Sequence, residues 1–161
     1  MAKAREIVGL RSEDRFGAVA ARVVSVRADE LLEHSEGVLD TGEIERVHAM
    51  RVASRRLRAA MEVFEPCFPR KPFKAAVREV KKIADALGER RDRDVSINAL
   101  QDFGEALSDV DRRGVRMLVE RLRDEQTLAN ERLAPVVERS RLRLLRAEIE
   151  EMTVAAERGS P

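Results

Sequence analysis

The sequence predicts an all-α fold, an antiparallel bundle of about six helices. Tyr and Trp are absent and Phe occurs five times, so the core must consist mainly of aliphatic side chains. Ala, Leu, Arg and Glu, which favour helix, are abundant, whereas strands favour aromatic and β-branched residues. Apolar residues also recur at helical spacing. The 161 residues suit one helical domain, with a core over about residues 12–156.

Composition limits the class of protein further. The single cysteine, Cys67, cannot form an internal disulfide, and no cysteine spacing indicates a metal site. No stretch approaches the roughly 18 apolar residues that a membrane span needs. Residues 1–11 are charged and lack the apolar segment of a secretory signal. We therefore expect a cytoplasmic protein with no membrane segment, cofactor or metal ion.

Residues 12–36 predict the first helix. Ser12 is suited to its N-cap, and Gly37 can end it. Arg27 and Glu30 interrupt its apolar face, but their i,i+3 spacing lets the two charges pair.

Prolines separate the second and third helices. Thr41 opens the second helix, which runs to about Phe64, and three prolines predict a loop over residues 66–72. The third helix covers about residues 71–87, because Gly88 is suited to the C′ position that ends many helices.

Three more helices are predicted after Gly88. Asp92 or Asp94 can cap a short fourth helix that ends near Gly104, and Ser108 or Asp109 can cap a long fifth helix.

The fifth helix extends to about Arg139, but Pro135 lies inside it and predicts a kink or break. A last helix covers about residues 141–156 and is followed by a tail, residues 157–161, that we expect to fray. The apolar face of the last helix consists of Leu142, Leu145, Ile149 and Met152.

Charge is distributed unevenly, although the formal net charge is only +1. Residues 46–91 contain 13 Lys and Arg against 5 Asp and Glu, whereas the rest of the chain contains 18 against 25. A basic middle inside an acidic frame creates a local positive field that the net charge does not show.

Two helices place their basic residues in rows opposite an apolar face. The row on the second helix consists of His48, Arg51, Arg55 and Arg58. The row on the third helix consists of Lys71, Lys74, Arg78 and Lys81. Two antiparallel helices joined by a short loop can bring these rows side by side.

Such rows are often only a solvated surface. A solvated helix usually mixes acids and bases, whereas Arg51 and Arg55, like Lys74 and Arg78, place equal charges at i,i+4. Each such pair destabilises an isolated helix by about a few tenths of a kcal/mol. The pattern therefore favours a polyanionic partner that relieves the repulsion.

Phosphate is the anion that these side chains suit. The planar guanidinium of Arg matches phosphate oxygens. His48 can donate a hydrogen bond, although a half-buried structural histidine is an equally good interpretation. Nucleic-acid binding usually adds aromatic stacking platforms or base-reading Asn and Gln, which the basic faces lack. The faces thus favour a ligand that is phosphate throughout.

Two segments resemble the CHAD family, the conserved histidine α-helical domain. The family signature is similar to residues 47–58, VHAMRVASRRLR, and its second element, LG-x-x-RD-x-DV, is similar to residues 87–95, LGERRDRDV. The resemblance covers roughly residues 16–152. It implies a helical-bundle fold, binding of inorganic polyphosphate through a basic groove, and association with polyphosphate granules.

The resemblance also implies a set of polyphosphate-binding residues. The positions that match the signature are His48, Arg51, Arg55, Arg56 and Arg58, and similar placement adds Lys74, Arg78, Lys81 and Lys82. The basic row of the third helix adds Lys71, and the second element adds Arg91. We assign Asp92 and Asp94 of that element to helix capping and to holding Arg91.

The chain departs from the family in one respect. CHAD domains usually contain two related bundles, and after Gly104 no second cluster of the His-x-x-Arg type is present. Either one half binds weakly alone, or two chains pair to rebuild the groove. We predict a homodimer in which two basic surfaces face each other across a shared channel.

No catalytic constellation is recognisable. No GxxxxGK[ST] phosphate loop is present. The hydrolase module that often accompanies the family has alternating glutamates followed by lysine, whereas Glu43-Ile44-Glu45 precedes Arg46. We therefore predict a binding protein without catalytic residues. Two alternatives are a helical scaffold that docks an acidic protein and non-specific binding of nucleic-acid backbones.

Overall fold

A computed structural model describes residues 3–159, which form five α-helices and two 3₁₀ turns. The helices are α1 Phe16–Glu33, α2 Ile44–Val63, α3 Arg70–Glu105, α4 Asp109–Leu133 and α5 Arg139–Glu157, and the 3₁₀ turns are Glu65–Cys67 and Ala134–Val136. Residues 3–159 contain no strand, so the all-α prediction is confirmed. Residues 1–2 and 160–161, which belong to the charged N-terminus and to the tail predicted to fray, lie outside the described residues.

The hydrophobic core lies in a four-helix bundle made by α1, α2, α5 and the first part of α3. In this bundle α1 packs against α2 and α5, and α3 packs against the same two helices. α3 contributes to this core as far as Leu87. The four apolar residues predicted for the last helix are all buried, as the helical spacing requires.

α4 packs on the second part of α3, and the two form a hairpin that extends from the bundle. The buried apolar side chains of this hairpin include Ile97, Val119 and Ala129, which lie outside the main core cluster. No other described helix packs extensively against α4. It is therefore an edge helix with one covered face.

α3 is one continuous helix of 36 residues, so the helix end predicted at Gly88 is wrong. Gly88 keeps a negative φ, and the turns that follow bury Arg90, Asp94 and Ile97. A glycine inside a helix costs about 1 kcal/mol relative to alanine, less than these packed turns contribute. The caps predicted at Asp92 and Asp94 are wrong for the same reason, since both residues lie within α3.

Two boundary predictions around α4 are confirmed. Ser108 caps α4, where its hydroxyl accepts a hydrogen bond from the backbone N–H of Asp111 over 3.4 Å. Pro135 breaks the chain direction, because α4 ends at Leu133 and a new helix starts after the 3₁₀ turn.

Other boundaries differ from the prediction. Neither Ser12 nor Thr41 caps a helix, because α1 and α2 begin several residues later. α3 begins at Arg70, so Pro72 lies in its first turn instead of in a loop. Proline is tolerated there because the first N–H groups of a helix have no partner within it.

Two helical glycines should respond oppositely to alanine. A Cβ at Gly88 would meet no atom within 4 Å, so Gly88→Ala should raise the free energy of unfolding by about 0.5–1 kcal/mol. A Cβ at Gly17 would lie 2.5 Å from the backbone oxygen of Ala156, so Gly17→Ala should destabilise the bundle. Urea unfolding measures both changes. A less stable Gly88→Ala variant would contradict the continuity of α3.

Candidate functional site

An open groove lies between α2 and α3, and basic residues of α2 line it. α2 buries its apolar face in the bundle and leaves Arg51, Arg55 and Arg58 at the edge that faces α3. This α2–α3 groove has a volume of about 600 Å³. Its α3 wall consists of Ala84, Asp85, Gly88, Glu89 and Asp92. Three of the predicted binding residues therefore share one accessible surface.

The charges of two of these arginines have no counterion among residues 3–159. Neither Arg51 nor Arg55 forms an ion pair or a side-chain hydrogen bond with a described residue. Arg58 pairs with Glu62 on its own helix (Nε to Oε1, 3.3 Å), an exposed contact that contributes little in water. His48, one turn before Arg51, is half-buried and does not line the groove.

Small residues keep the middle of the α2–α3 groove open. Ala84 and Gly88 lie one turn apart on α3, and a Cβ at Gly88 would meet nothing within 4 Å. The groove is therefore widest beside these two small residues of α3.

The α3 wall of the groove also carries negative charge. Asp85 and Asp92 are exposed there, and Glu89 pairs with Arg132 of α4 (Oε2 to Nη1, 3.3 Å). The α2 arginines therefore face a partly acidic surface, and the basic row predicted for the third helix is not opposite them. This arrangement leaves one cationic wall on which an anion can lie.

The lysines of α3 are exposed on the turns that precede the groove. Lys81 lies one turn before Asp85, and Lys74 lies two turns before Lys81. Because a short connection makes α2 and α3 antiparallel, these turns lie towards the C-terminal end of α2, and neither lysine is among the residues that line the α2–α3 groove. Within the described part of the chain, Lys71, Lys74 and Lys81 form no ion pair.

Arg78 and Lys82 line a different groove, between α3 and α5, with a volume of about 530 Å³. In it Glu79 accepts hydrogen bonds from Lys82 (Nζ to Oε1, 2.6 Å) and Arg141 (Nη2 to Oε2, 2.7 Å). These bonds lower the pKa of Glu79 below its usual value. Their contribution to stability is present above the unfolded pKa of a glutamate and is lost as the pH falls through the lowered folded pKa.

Arg56 extends towards α1, where it pairs with Glu30 (Nη1 to Oε1, 2.9 Å). Glu30 is 2% exposed and also pairs with Arg27 at 2.7 Å, which confirms the predicted i,i+3 pair. Burial alone would raise the pKa of Glu30, but the hydrogen bond from Arg27 and the nearby positive charges outweigh burial and lower the pKa. Arg56 therefore joins α2 to α1, and it also lines an open pocket of about 430 Å³ on α2 together with Arg55 and Arg58.

Arg91 contacts the start of α2. Its Nη1 donates to the backbone oxygen of Ile44 (3.4 Å), and its Nη2 lies 3.7 Å from Oε1 of Glu45. The prediction that Asp94 holds Arg91 is wrong, because Asp94 lies one turn after Arg90 and pairs with that residue.

The ion pair between Arg90 and Asp94 was not recognised from the sequence. Arg90 Nε lies 3.0 Å from Asp94 Oδ1, and both side chains are fully buried. Gln126 donates to the same oxygen (2.6 Å), Arg90 Nη1 donates to Asn130 (2.7 Å), and Asn130 donates to the backbone oxygen of Leu39 (2.8 Å). This network ties α3 to α4 and to the segment between α1 and α2. The available signal was the position of both charges on the apolar side of a continuous α3.

Two general properties of residues 3–159 limit other kinds of site. These residues contain no group of three or more His, Cys, Asp or Glu side chains placed to hold a metal ion. None of the described helices combines the length and the apolar character that crossing a membrane requires.

Comparison with known proteins identifies one family. The sequence model of the CHAD domain matches residues 22–161, most of the chain. No curated protein and no solved structure matches the chain. The matched segment contains the α2–α3 groove and the buried Arg90–Asp94 pair.

Removing one partner of the buried Arg90–Asp94 pair should lower the stability of the fold considerably. Asp94→Asn leaves the Arg90 guanidinium buried without a counterion, so we expect a loss of about 3–5 kcal/mol in the free energy of unfolding. The matched control is Asp92→Asn, two residues away and exposed, which should change it by less than about 0.5 kcal/mol. Denaturant unfolding compares the two variants, and equal effects would contradict a special role for the pair.

Proposed function

The chain belongs to the CHAD domain family, and from this membership we propose that it binds inorganic polyphosphate through the α2–α3 groove. The observation that carries the proposal is that Arg51 and Arg55 lie one turn apart in that groove without a described counterion. A bound polyanion would relieve their mutual repulsion. In this proposal the protein is a binding module without enzymatic activity, located in the cytoplasm at polyphosphate granules.

The spacing of the arginines favours a chain of phosphates over a single anion. Arg51, Arg55 and Arg58 extend over two helical turns, a rise of about 10 Å. A small anion reaches part of this wall, whereas a linear polymer with charge on every unit can contact all three guanidinium groups. The planar donors of arginine also match phosphate oxygens better than a lysine ammonium does.

The charged side chains of α3 determine the path that a bound polyphosphate would follow along the groove. The acids of the α3 wall are Asp85, Glu89 and Asp92, and Lys81 and Lys74 lie on the turns of α3 that precede this wall. Because phosphate is repelled by carboxylates and attracted by ammonium groups, the chain should run from Arg51 towards the lysines. A longer chain then gains contacts that a short one cannot reach.

The alternatives require other features. The side chains that line the α2–α3 groove include no aromatic ring on which a base could stack and no Asn or Gln that could read a base edge. An acidic protein could neutralise the same arginines, so a direct comparison of polyanions is needed to separate it from polyphosphate.

Competition for labelled long-chain polyphosphate tests the ligand class. At equal total charge, unlabelled polyphosphate should displace the label far better than RNA, duplex DNA or polyglutamate, and binding should weaken steeply with salt. Fluorescence anisotropy follows the displacement. Equal displacement by RNA would contradict selectivity for polyphosphate, and better displacement by polyglutamate would support an acidic protein partner instead.

Charge reversal in the groove tests the site. Arg51→Glu combined with Arg55→Glu should weaken polyphosphate binding by about tenfold or more, because two cations of the wall become anions. The matched control is Arg139→Glu with Arg143→Glu on α5, an exposed pair with the same spacing and the same change in net charge.

Circular dichroism should show equal helix content for both double variants. Equal loss of binding in the two would show that net charge carries the affinity and would overturn the assignment to the groove. Loss of helix content in the groove variant would assign Arg51 and Arg55 a structural role.

A further inference from the structure

A stripe of residues at regular spacing runs along the outer face of α4, opposite the side that packs on α3. Its members are separated alternately by four and three residues, the spacing of a coiled-coil seam. This α4 seam consists of Val110, Gly114, Met117, Arg121, Asp124 and Leu128.

The apolar members of the α4 seam are open to solvent. Val110 is 84% exposed, Met117 67% and Leu128 52%. The buried residues of α4, among them Val119 and Ala129, lie on the opposite side of the helix. Large apolar side chains repeated at this spacing on a free helix face are typical of a surface that another helix covers.

We propose that the α4 seam is a homodimer interface, in which α4 pairs antiparallel with α4 of a second copy. A two-fold axis that places Arg121 opposite Asp124 of the second copy also places Asp124 opposite Arg121 of that copy. The same register places Met117 opposite Leu128 on both sides of this centre. The two central charges therefore meet opposite charges and Met117 meets Leu128, whereas Val110 lies beyond the end of the second copy's α4 and outside this pairing.

Neighbouring registers lack this complementarity. If Val110 faced Leu128, then Met117 would face Arg121 and Gly114 would face Asp124, so no charge of one copy would meet an opposite charge of the other, and Arg121 would keep only its exposed pair with Glu125 on its own helix. This self-complementarity favours a second copy of the chain over an unrelated helix.

The position of α4 leaves the anion-binding surface free. Gly88 and Asp92 line the α2–α3 groove, whereas Arg90 and Asp94 face α4, and residues two apart on a helix point about 200° apart. The α4 seam and the groove therefore lie on different sides of α3. One helix pair buries less than the roughly 1,200 Å² of a standard interface, so we expect weak association, roughly micromolar.

Charge reversal at the centre of the α4 seam tests both the surface and the register. Sedimentation equilibrium of the full chain should give a mass that rises from 18.2 kDa towards twice that value as concentration increases. Arg121→Glu places acids opposite acids and Asp124→Arg places bases opposite bases, so each variant alone should associate about tenfold or more weakly. An equimolar mixture of the two variants pairs opposite charges and should recover association.

The control is Arg116→Glu, an exposed residue of α4 outside the seam, which should dimerise like the original chain. A chain that stays at 18.2 kDa over the whole concentration range overturns the proposal. Failure of the mixed variants to associate, when the original chain does dimerise, overturns it too, because another surface or register must then hold the dimer. Neither result bears on whether the α2–α3 groove binds polyphosphate, which is measured separately on the groove variants.

Discussion

The buried ion pair between Arg90 and Asp94 determines which side of α3 faces each of its neighbours. Removing two charges from water is costly, and among the described atoms Arg90 Nη2 and Asp94 Oδ2 have no hydrogen-bond partner. The bonds to Gln126 and Asn130 must therefore hold the pair in one geometry. Because the helix is continuous, the orientation that buries Arg90 against α4 turns Gly88 towards α2. The wall of the groove depends on a contact made on the other side of the same helix.

The basic residues of the middle of the chain serve two different purposes. One set donates to described carboxylates or backbone oxygens, either within one helix or between elements: Arg46, Arg56, Arg58, Lys82, Arg90 and Arg91. The other set forms no such contact within residues 3–159: Arg51, Arg55, Arg70, Lys71, Lys74, Arg78 and Lys81. The excess of positive charge over residues 46–91 is therefore not a uniform field. The second set supplies what a ligand can use, and part of it lies in one groove.

The spacing of residues along the sequence was sufficient to predict the structural features that depend on a single helix. The amphipathic faces, the Arg27–Glu30 pair and the break at Pro135 each follow from local geometry. Continuity through Gly88 did not follow, because the packing that outweighs its helix propensity involves α4, which is distant in sequence. The partner of Arg56 was hidden for the same reason, since no local signal shows that α1 buries an acid beside α2. The basic residues of each helix could be assigned to one face, but which turns of α2 and α3 lie opposite each other depends on tertiary packing.

Two surfaces on different sides of α3 give the proposed dimer a property that a single chain lacks. Pairing through the α4 seam leaves the α2–α3 groove of each copy open, so that a two-fold axis relates two anion-binding surfaces. If both proposals hold, a polyphosphate chain long enough to reach both grooves would bind the second at a high effective concentration, because the first would already hold it. A short chain occupies one groove and gains nothing from the dimer. Preference for long chains can thus arise from contacts between α4 helices, even though no residue of α4 lines the α2–α3 groove.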